Sequence, residues 1–372
     1  MQNNEKHLNE PFVTVIGRGR DSMHWKKAWC IRAIAIILAL ILCAVVIVCL
    51  TGYNPIKVYV ELFKGSFGTQ RKVWNTFQNL SMLLCVSLAV TPAFKMKFWN
   101  IGAEGQTLVG GLVAAACMIY FGNTMPAIIF FPVMVLCCII AGMIWGIIPA
   151  YFKAKFNTNE TLFTLMMNYV AMQLVSFFIV LWENPKDSNT VGVINSATQG
   201  GWLPALFGQK YFLNILIVAL LTVGMYIYLK YSKHGYEISV VGESENTARY
   251  VGINVKKVIL RTMALSGALC GIAGLLLVSG TDHTINTQVV GGMGFTAIMV
   301  SWLAKFNPIV MSLTSFLIVF LERGAGEIAM TFNLNQSIAD ILTGIILFFI
   351  IGCEFFIQYK VIFRKKHKEE QV

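Results

Sequence analysis

The segment KFWNIGAEGQ, residues 97–106, places several polar side chains within an otherwise apolar stretch. Asn100, Glu104 and Gln106 lie in this segment, and Asn79 and Asn168 lie in apolar runs on either side of it. Amide and carboxylate groups can each form several hydrogen bonds, so this set could bind a polar solute. The same groups could instead cap helix ends and brace neighbouring helices. The sequence leaves both interpretations open.

Covalent chemistry is not indicated anywhere in the sequence. There is no G-x-x-x-x-G-K-[ST] loop to cradle nucleotide phosphates and no H-E-x-x-H zinc motif. The five histidines are scattered, and the nine cysteines lie mostly inside apolar runs, as small buried residues do. We therefore predict that the chain is not an enzyme and has no metal site or cofactor of its own.

The composition predicts a membrane protein. The chain is 56% hydrophobic and only 13% charged, whereas soluble domains are about one quarter charged. Several apolar runs reach the roughly 20 residues that cross a bilayer as a helix. The net charge of +11 collects in the ends and in alternate loops, which is typical of cytoplasmic retention rather than of nucleic-acid binding.

The apolar runs predict an all-α, polytopic fold with about ten transmembrane helices and both termini cytoplasmic. Residues 1–29 and 360–372 are predicted to be cytoplasmic basic tails that flank a transmembrane domain over 30–359. Residues 53–72 form an amphipathic segment that we place on the outer face, and a short interfacial helix is predicted near Trp202–Phe207. The predicted spans are 30–50, 74–94, 107–121, 126–151, 161–182, 212–229, 262–280, 289–304, 308–322 and 337–358.

Two interruptions stand at corresponding positions of the predicted spans. KFWNIGAEGQ follows the second span on the inside, and TDHTINTQVVGGMG, residues 281–294, follows the seventh on the outside. An odd offset of five spans reverses orientation, which predicts an inverted repeat and a translocation path near the breaks. Glu104 would cost about 3 kcal/mol at the centre of an isolated span, so it needs either a structural or a solute-binding role.

The longest polar stretch between two spans, residues 231–261, predicts a short helix on the basic side. Ser244 or Glu245 can cap its start and Gly252 can end it. Such a helix is either a solvated connector or an element that transmits force. The candidate helix and its flanks comprise Glu243, Ser244, Glu245, Asn246, Ala248, Arg249, Tyr250, Gly252 and Asn254.

Three motifs carry a resemblance to a known family. They are GESENTARYVGINVKKVILRTMALSGALCGIAGLL from Gly242, NIGAEGQ from Asn100 and FNTNETLFTLMMNY from Phe156. Together they resemble integral-membrane permeases of ABC importers for ribose, branched-chain amino acids and nucleosides. NIGAEGQ resembles the nucleoside (guanosine-type) branch in particular, while Thr247 and Thr161 to Phe163 depart from the family pattern.

The resemblance implies a type II ABC importer permease in the bacterial plasma membrane, with inverted-repeat architecture. It implies that segment 231–261 docks on a separate cytoplasmic ABC ATPase, which binds the ATP, and that the nine residues of the helix and its flanks named above are the predicted contact residues. It also implies a second permease subunit, with a heterodimer favoured, and an extracytoplasmic substrate-binding lipoprotein. Nucleosides are the implied substrate, with a path lined by Asn79, Asn100, Glu104, Gln106 and Asn168.

Two other functions remain open. A simple-sugar permease of the ribose or galactose type would use the same mechanism. An ion-coupled secondary carrier would need membrane carboxylates that titrate, and the candidates are Glu104, Glu322, Asp340 and Glu354. A membrane-embedded enzyme has no supporting motif.

Overall fold

The computed structural model describes residues 13–17 and 25–363. The predicted tails therefore lie partly outside the described residues, at 1–12, 18–24 and 364–372. The described parts of the two ends pair with each other. Strand β1 (Val13–Gly17) runs antiparallel to strand β2 (Tyr359–Phe363), with Val15 opposite Val361. The prediction of an all-α chain overlooked this two-stranded ribbon.

Everything else regular in the described chain is helical. The helices are α1 (Trp25–Thr51), α2 (Pro55–Phe67), α3 (Gln70–Lys95), α4 (Ala103–Phe121), α5 (Ala127–Phe156), α6 (Glu160–Trp182), α7 (Phe212–Tyr231), α8 (Lys233–Glu243), α9 (Glu245–Tyr250), α10 (Val255–Leu277), α11 (Met293–Leu303), α12 (Pro308–Thr331) and α13 (Gln336–Gln358). A π-helical segment, Val278–Asp282, continues α10.

The described residues contain eight helices that are long and apolar enough to cross a bilayer, and α10 with its π-helical extension forms one of them, Val255–Asp282. The apolar parts of α11 and α13 are shorter, at Met293–Leu303 and Ile341–Ile357. Together these ten apolar helices confirm the prediction of a polytopic helical membrane fold. The side on which each terminus lies stays a prediction.

The described chain divides into two compact units. In the unit Ser66–Phe320, α10 is the central helix and packs against α3, α4 and α5. A glycine seam makes this packing close, and it comprises Gly110, Gly142, Gly146, Gly267, Gly271 and Gly274. A Cβ on Gly110 would lie 2.6 Å from the Gly271 Cα. Small residues of this kind let helix backbones touch where no hydrophobic force between helices is available. These glycines therefore serve the close packing of α10 against α4 and α5.

The other unit comprises residues 1–65 and 321–372. Within it α1 packs along α13, where Ala35, Cys353 and Ile357 form a small buried cluster. The amphipathic helix α2 lies close to the C-terminal half of α12, because a Cβ added to Gly324 would lie 2.6 Å from the Leu62 carbonyl oxygen.

Several predicted boundaries were wrong for identifiable reasons. Span three begins at Ala103 rather than at 107, because the polar side chains of its first turn are paired inside the protein. The ninth span does not end at 322, since α12 continues to Thr331. No helix forms at Trp202–Phe207, and α11 has 11 residues and begins at Met293 instead of near 289. Aromatic and apolar composition alone does not distinguish a packed loop from an interfacial helix.

Candidate functional site

The two predicted interruptions are real breaks, and they meet inside the protein. One lies between Lys95 and Ala103, and the other between Asp282 and Met293. Both are followed by a helix that begins within the unit, namely α4 and α11. The Glu104 carboxylate joins these two helix starts, because its two oxygens accept from the N–H groups of Gly292 and Gly294, each at 2.8 Å.

Glu104 therefore acts as a bridge between two helix N-termini. Its side chain is almost wholly buried, at 3% exposure. A negative charge is favourable at a helix N-terminus, where the first N–H groups lack partners within the helix. Gly294 allows the close approach, because a Cβ there would lie 2.6 Å from the Glu104 nitrogen. The Glu104 carboxylate is thus held by hydrogen bonds from Gly292 and Gly294 and by the close approach of the Gly294 backbone.

Asn100 and Gln106 organise the first break from within. The Asn100 Oδ1 accepts from the Gly102 N–H at 3.0 Å, and its Nδ2 donates to the Ser266 Oγ on α10 at 3.1 Å. The Gln106 Nε2 also donates a hydrogen bond to the Asn100 Oδ1, at 3.3 Å. The break is thus tied to the central helix α10.

Asn168 on α6 also holds the first break in place through hydrogen bonds. Its Oδ1 accepts from the Gly105 N–H at 2.9 Å, and its Nδ2 donates to the Ile101 carbonyl at 3.0 Å. Thr164, one turn earlier on α6, accepts from the Ile101 N–H at 3.2 Å. Thr164 lies in the FNTNETLFTLMMNY motif, which was the available signal for it, although it was not among the predicted site residues.

The structure thus gathers four of the five predicted path residues, Asn100, Glu104, Gln106 and Asn168. All four are buried and hydrogen-bonded to protein, as the bracing interpretation requires. Asn79 is only partly buried, and among the described residues it forms no hydrogen bond with the other four. The neighbouring Gln78 is buried instead and donates to Thr281 in the π-helical segment, and sequence reasoning missed it.

An exposed aromatic pair lies beside the first break. The rings of Trp99 and Trp302 are 5.6 Å apart, and Phe94 packs edge-on against both. Trp99 belongs to the break, and Trp302 lies in the last turn of α11. Their side chains remain 46% and 49% exposed. The pair can therefore offer ring faces to a ligand or to lipid.

The predicted short helix of segment 231–261 is confirmed as α9. The Ser244 hydroxyl caps its start by accepting from the Thr247 N–H at 3.2 Å, and Gly252 ends it with φ +80°. Asn254 caps α10 by accepting from the Lys257 N–H at 3.1 Å. Ser244 and Asn254 thus cap helices, and Ala248 is buried. The exposed predicted contact residues are Glu243, Glu245, Asn246, Arg249, Tyr250, Gly252 and Asn254.

Helices α8 and α9 rest directly on the first break. Ile238, Val241 and Ala248 belong to one buried cluster with Met96 and Phe98, which flank Lys97 after α3. A Cβ on Gly242 would collide with the Lys95 carbonyl, so α8 touches the end of α3 backbone to backbone. A displacement of α8 would therefore reach the break directly.

An ion pair between Glu237 and Arg261 ties α8 to α10, with 2.7 Å between the Glu237 Oε2 and the Arg261 Nη2. The bond from Arg261 holds the pKa of the Glu237 carboxyl below its usual value of 4.5. Because the folded state favours the ionised form, the pair stabilises the fold above about pH 4.5. This contribution is lost as the pH falls through the lowered pKa.

We expect Glu237→Gln to lower the thermal unfolding midpoint of the purified protein by about 2 °C at pH 7. The difference from wild type should shrink steadily between about pH 5 and pH 3, since wild type loses the same interaction on protonation. Glu243→Gln, at an exposed position on the same helix, is the control. If the difference in unfolding midpoint between Glu237→Gln and wild type did not change with pH, the charge of Glu237 would have no role in stability.

Of the four carboxylates considered for an ion-coupled carrier, the structure describes the side chains of Glu104 and Glu322. Among the residues that the structure describes, no three His, Cys, Asp or Glu side chains come together as a metal site. Glu104 is engaged by two backbone N–H groups, and Glu322 lies within α12. The side chains of Asp340 and Glu354 lie outside the described residues.

Comparisons with known proteins agree with this architecture. The family described as branched-chain amino acid transport system / permease component matches residues 73–351. The guanosine ABC transporter permease protein NupP of Bacillus subtilis is 30% identical over 85% of this chain and 91% of its own length. The glucose ABC transporter permease protein TsgB13 of Haloferax volcanii is 26% identical over 92% of both chains.

A third relative, the nucleoside ABC transporter permease protein NupB of Lactococcus lactis, is 28% identical over 85% of this chain and 89% of its own. No solved structure matches the chain. The family match covers both breaks, the glycine seam and segment 231–261, so the geometry described above lies within the matched region. The chain therefore belongs to the permease family of ABC transporters, and it is a multi-pass plasma-membrane transport subunit rather than an enzyme.

Proposed function

We propose that this permease forms the translocation path for nucleosides in an ABC importer that is driven by separate ATPase subunits. The observation that carries the proposal is the meeting of two interrupted helices at Glu104. Breaks of this kind survive at membrane depth only where protein or a water-filled path surrounds them. Nucleosides are favoured because two of the relatives are named for guanosine or nucleoside transport. The glucose relative keeps a simple sugar as the alternative.

The exposed Trp99–Trp302 pair supports an aromatic solute. Each base stacked on an aromatic side chain gains about 1–3 kcal/mol, and this gain does not depend on base identity. The buried amides of the break are already bonded to protein, so they shape the path rather than offer free groups. A nucleoside would pass by stacking its base on the tryptophan pair.

We expect the double variant Trp99→Ala/Trp302→Ala to reduce guanosine uptake about tenfold in cells, because the base loses its stacking surface. Trp99→Phe/Trp302→Phe keeps ring faces and should retain most of the uptake. Equal losses in both double variants, with normal amounts of protein in the membrane, would contradict base stacking.

Segment 231–261 is proposed to dock on the cytoplasmic ATPase, through the exposed face of α9 that includes the 92% exposed Tyr250. This proposal places α8, α9 and both basic tails, 1–29 and 360–372, on the cytoplasmic side. Closure of the ATPase would press on α9. The backbone contact between Gly242 and Lys95 would carry the movement to the first break.

Arg249→Glu and Gly252→Val are each expected to uncouple ATP hydrolysis from transport. The first reverses a charge on the docking face, and the second strains a backbone with φ +80°, which side chains with a Cβ rarely adopt. Solute-stimulated ATP hydrolysis in proteoliposomes should fall at least fivefold, with normal membrane insertion.

Gly208→Val is the matched control for the Gly252 variant. Gly208 also has a positive φ, +71°, and nothing within 4 Å of an added Cβ, but it lies in the segment between α6 and α7. Normal coupling in both Arg249→Glu and Gly252→Val would exclude a docking role for α9.

The remaining proposed partners are a second permease subunit, with a heterodimer favoured, and an extracytoplasmic lipoprotein that delivers the substrate. The first experiment is gentle extraction of the tagged chain from its native membrane and identification of what co-purifies. An ATPase and a second permease, with hydrolysis stimulated by guanosine more than by glucose, would support the proposal. Recovery of the chain alone, with uptake driven by an ion gradient, would favour the secondary-carrier alternative.

A further inference from the structure

A cavity of about 320 Å³ opens between the end of α5, helix α9 and the start of α10. Its polar lining consists of Lys153, Lys155, Asn157, Glu245, Arg249 and Lys256. Four cationic residues therefore line it together with a single carboxylate. A volume of this size falls at the lower end of the range for small-molecule sites.

Two of the four cations are neutralised by neighbouring carboxylates. Lys153 pairs with Glu160 at 2.9 Å, and Arg249 pairs with Glu245 at 3.4 Å. Lys155 instead donates to the neutral Tyr151 hydroxyl at 3.0 Å. Within the described chain, Lys256 forms no ion pair. Lys155 and Lys256 thus leave the cavity with two uncompensated positive charges.

The backbone adds to this positive field. Helix α10 begins at Val255, and both Val255 and Lys256 line the cavity. The N-terminus of a 23-residue helix carries partial positive charge and favours anions, phosphate groups in particular. Lysine ammonium groups bind phosphate as point charges. The chemistry of the cavity is therefore that of a phosphate site.

We propose that this cavity binds a phosphate-bearing anion, either the headgroup of an anionic phospholipid or a soluble phosphate ester. Because Glu245 and Arg249 belong to α9, the bound anion would hold α9 against α5 and α10. Occupancy would thereby set the position of the element that we propose to dock on the ATPase. This consequence for coupling rests on the proposed function, whereas the binding itself does not.

The test compares the purified wild-type transporter complex with two variants, one that changes the cavity lysines and one that changes a lysine beside the cavity. Lys155→Gln/Lys256→Gln removes both uncompensated charges. Lys257→Gln is the matched control, because Lys257 is exposed in the same helical turn but does not line the cavity. One arm titrates guanosine monophosphate by calorimetry, with guanosine as the uncharged reference. The other reconstitutes the complex in phosphatidylcholine nanodiscs with or without phosphatidylglycerol and counts retained lipids by native mass spectrometry.

We expect the double variant to weaken binding of one of the two probes at least tenfold and Lys257→Gln to leave it unchanged. Loss confined to guanosine monophosphate would identify a soluble ester, and loss confined to phosphatidylglycerol would identify a lipid. Binding of neither probe, or binding that survives the double variant, would overturn the proposal. If wild type binds a probe through these lysines but the bound probe leaves ATP hydrolysis unchanged, the site would stand and only its proposed effect on coupling would be refuted.

Discussion

Replacing Gly267 with alanine should sharply reduce the amount of folded permease. The added Cβ would lie under 3.0 Å from the Gly142 carbonyl oxygen. Backbone atoms cannot rotate away as a side chain can, so α10 and α5 would have to separate along the glycine seam. Overpacking a core usually costs about 1–3 kcal/mol, and a clash with backbone falls at the upper end.

Gly224→Ala is the matched control for this experiment. Gly224 lies in the apolar helix α7, and an added Cβ there would meet nothing within 4 Å. Alanine exceeds glycine in helix propensity by up to about 1 kcal/mol, so this variant should be neutral or slightly stabilising. The measurement is the monodisperse fraction and thermal unfolding midpoint of each variant after detergent extraction. Equal behaviour of the two variants would show that the seam is not tightly packed.

Glu104→Gln should reduce guanosine uptake at least tenfold. The glutamine oxygen can accept from Gly292 or Gly294, but its amino group would face the other N–H group, donor against donor. A hydrogen bond to a charged group contributes about 1.5–3 kcal/mol, and each 1.4 kcal/mol is a factor of ten in an equilibrium. The two helix starts would lose their bridge, and the break would no longer hold one geometry.

Two further variants show whether the loss of uptake comes from the bridge itself. Glu104→Asp keeps the charge but is too short to reach both N–H groups, so it should also impair uptake if the bridge matters. Glu61→Gln removes a carboxylate from an exposed pair with Lys64, which contributes at most about 1 kcal/mol, and should transport normally. If Glu104→Gln transported guanosine at the wild-type rate and had an unchanged unfolding midpoint, the bridge between the two helix starts would have no role in transport.

The existence and type of the elements that follow local rules were predicted from the sequence, although several of their bounds were not. Helix α9 is one example, because its Ser244 cap and its left-handed Gly252 are encoded within a few residues. The eight long apolar helices are another, since a bilayer imposes their length. The two breaks were predicted for the same reason, because glycine and polar residues cannot continue an unbraced span.

The tertiary structure alone decided what the polar residues of the break do. The sequence contains Glu104, but its partners Gly292 and Gly294 lie 188 and 190 residues further on. No local pattern links positions so far apart. The choice of Gln78 over Asn79 as the buried amide depends likewise on which face of α3 meets the π-helical segment.

The amino-acid sequence by itself thus determined the class of protein, the apolar helices, the interruptions and the short capped helix, because these follow from length, composition and neighbouring residues. Only the tertiary structure decided that the start of α4 meets that of α11, that α8 rests on the first break, and that lysines from α5 and α10 share a cavity. These features arise from contacts between segments far apart in the chain, whose pairing depends on packing of the whole helical unit.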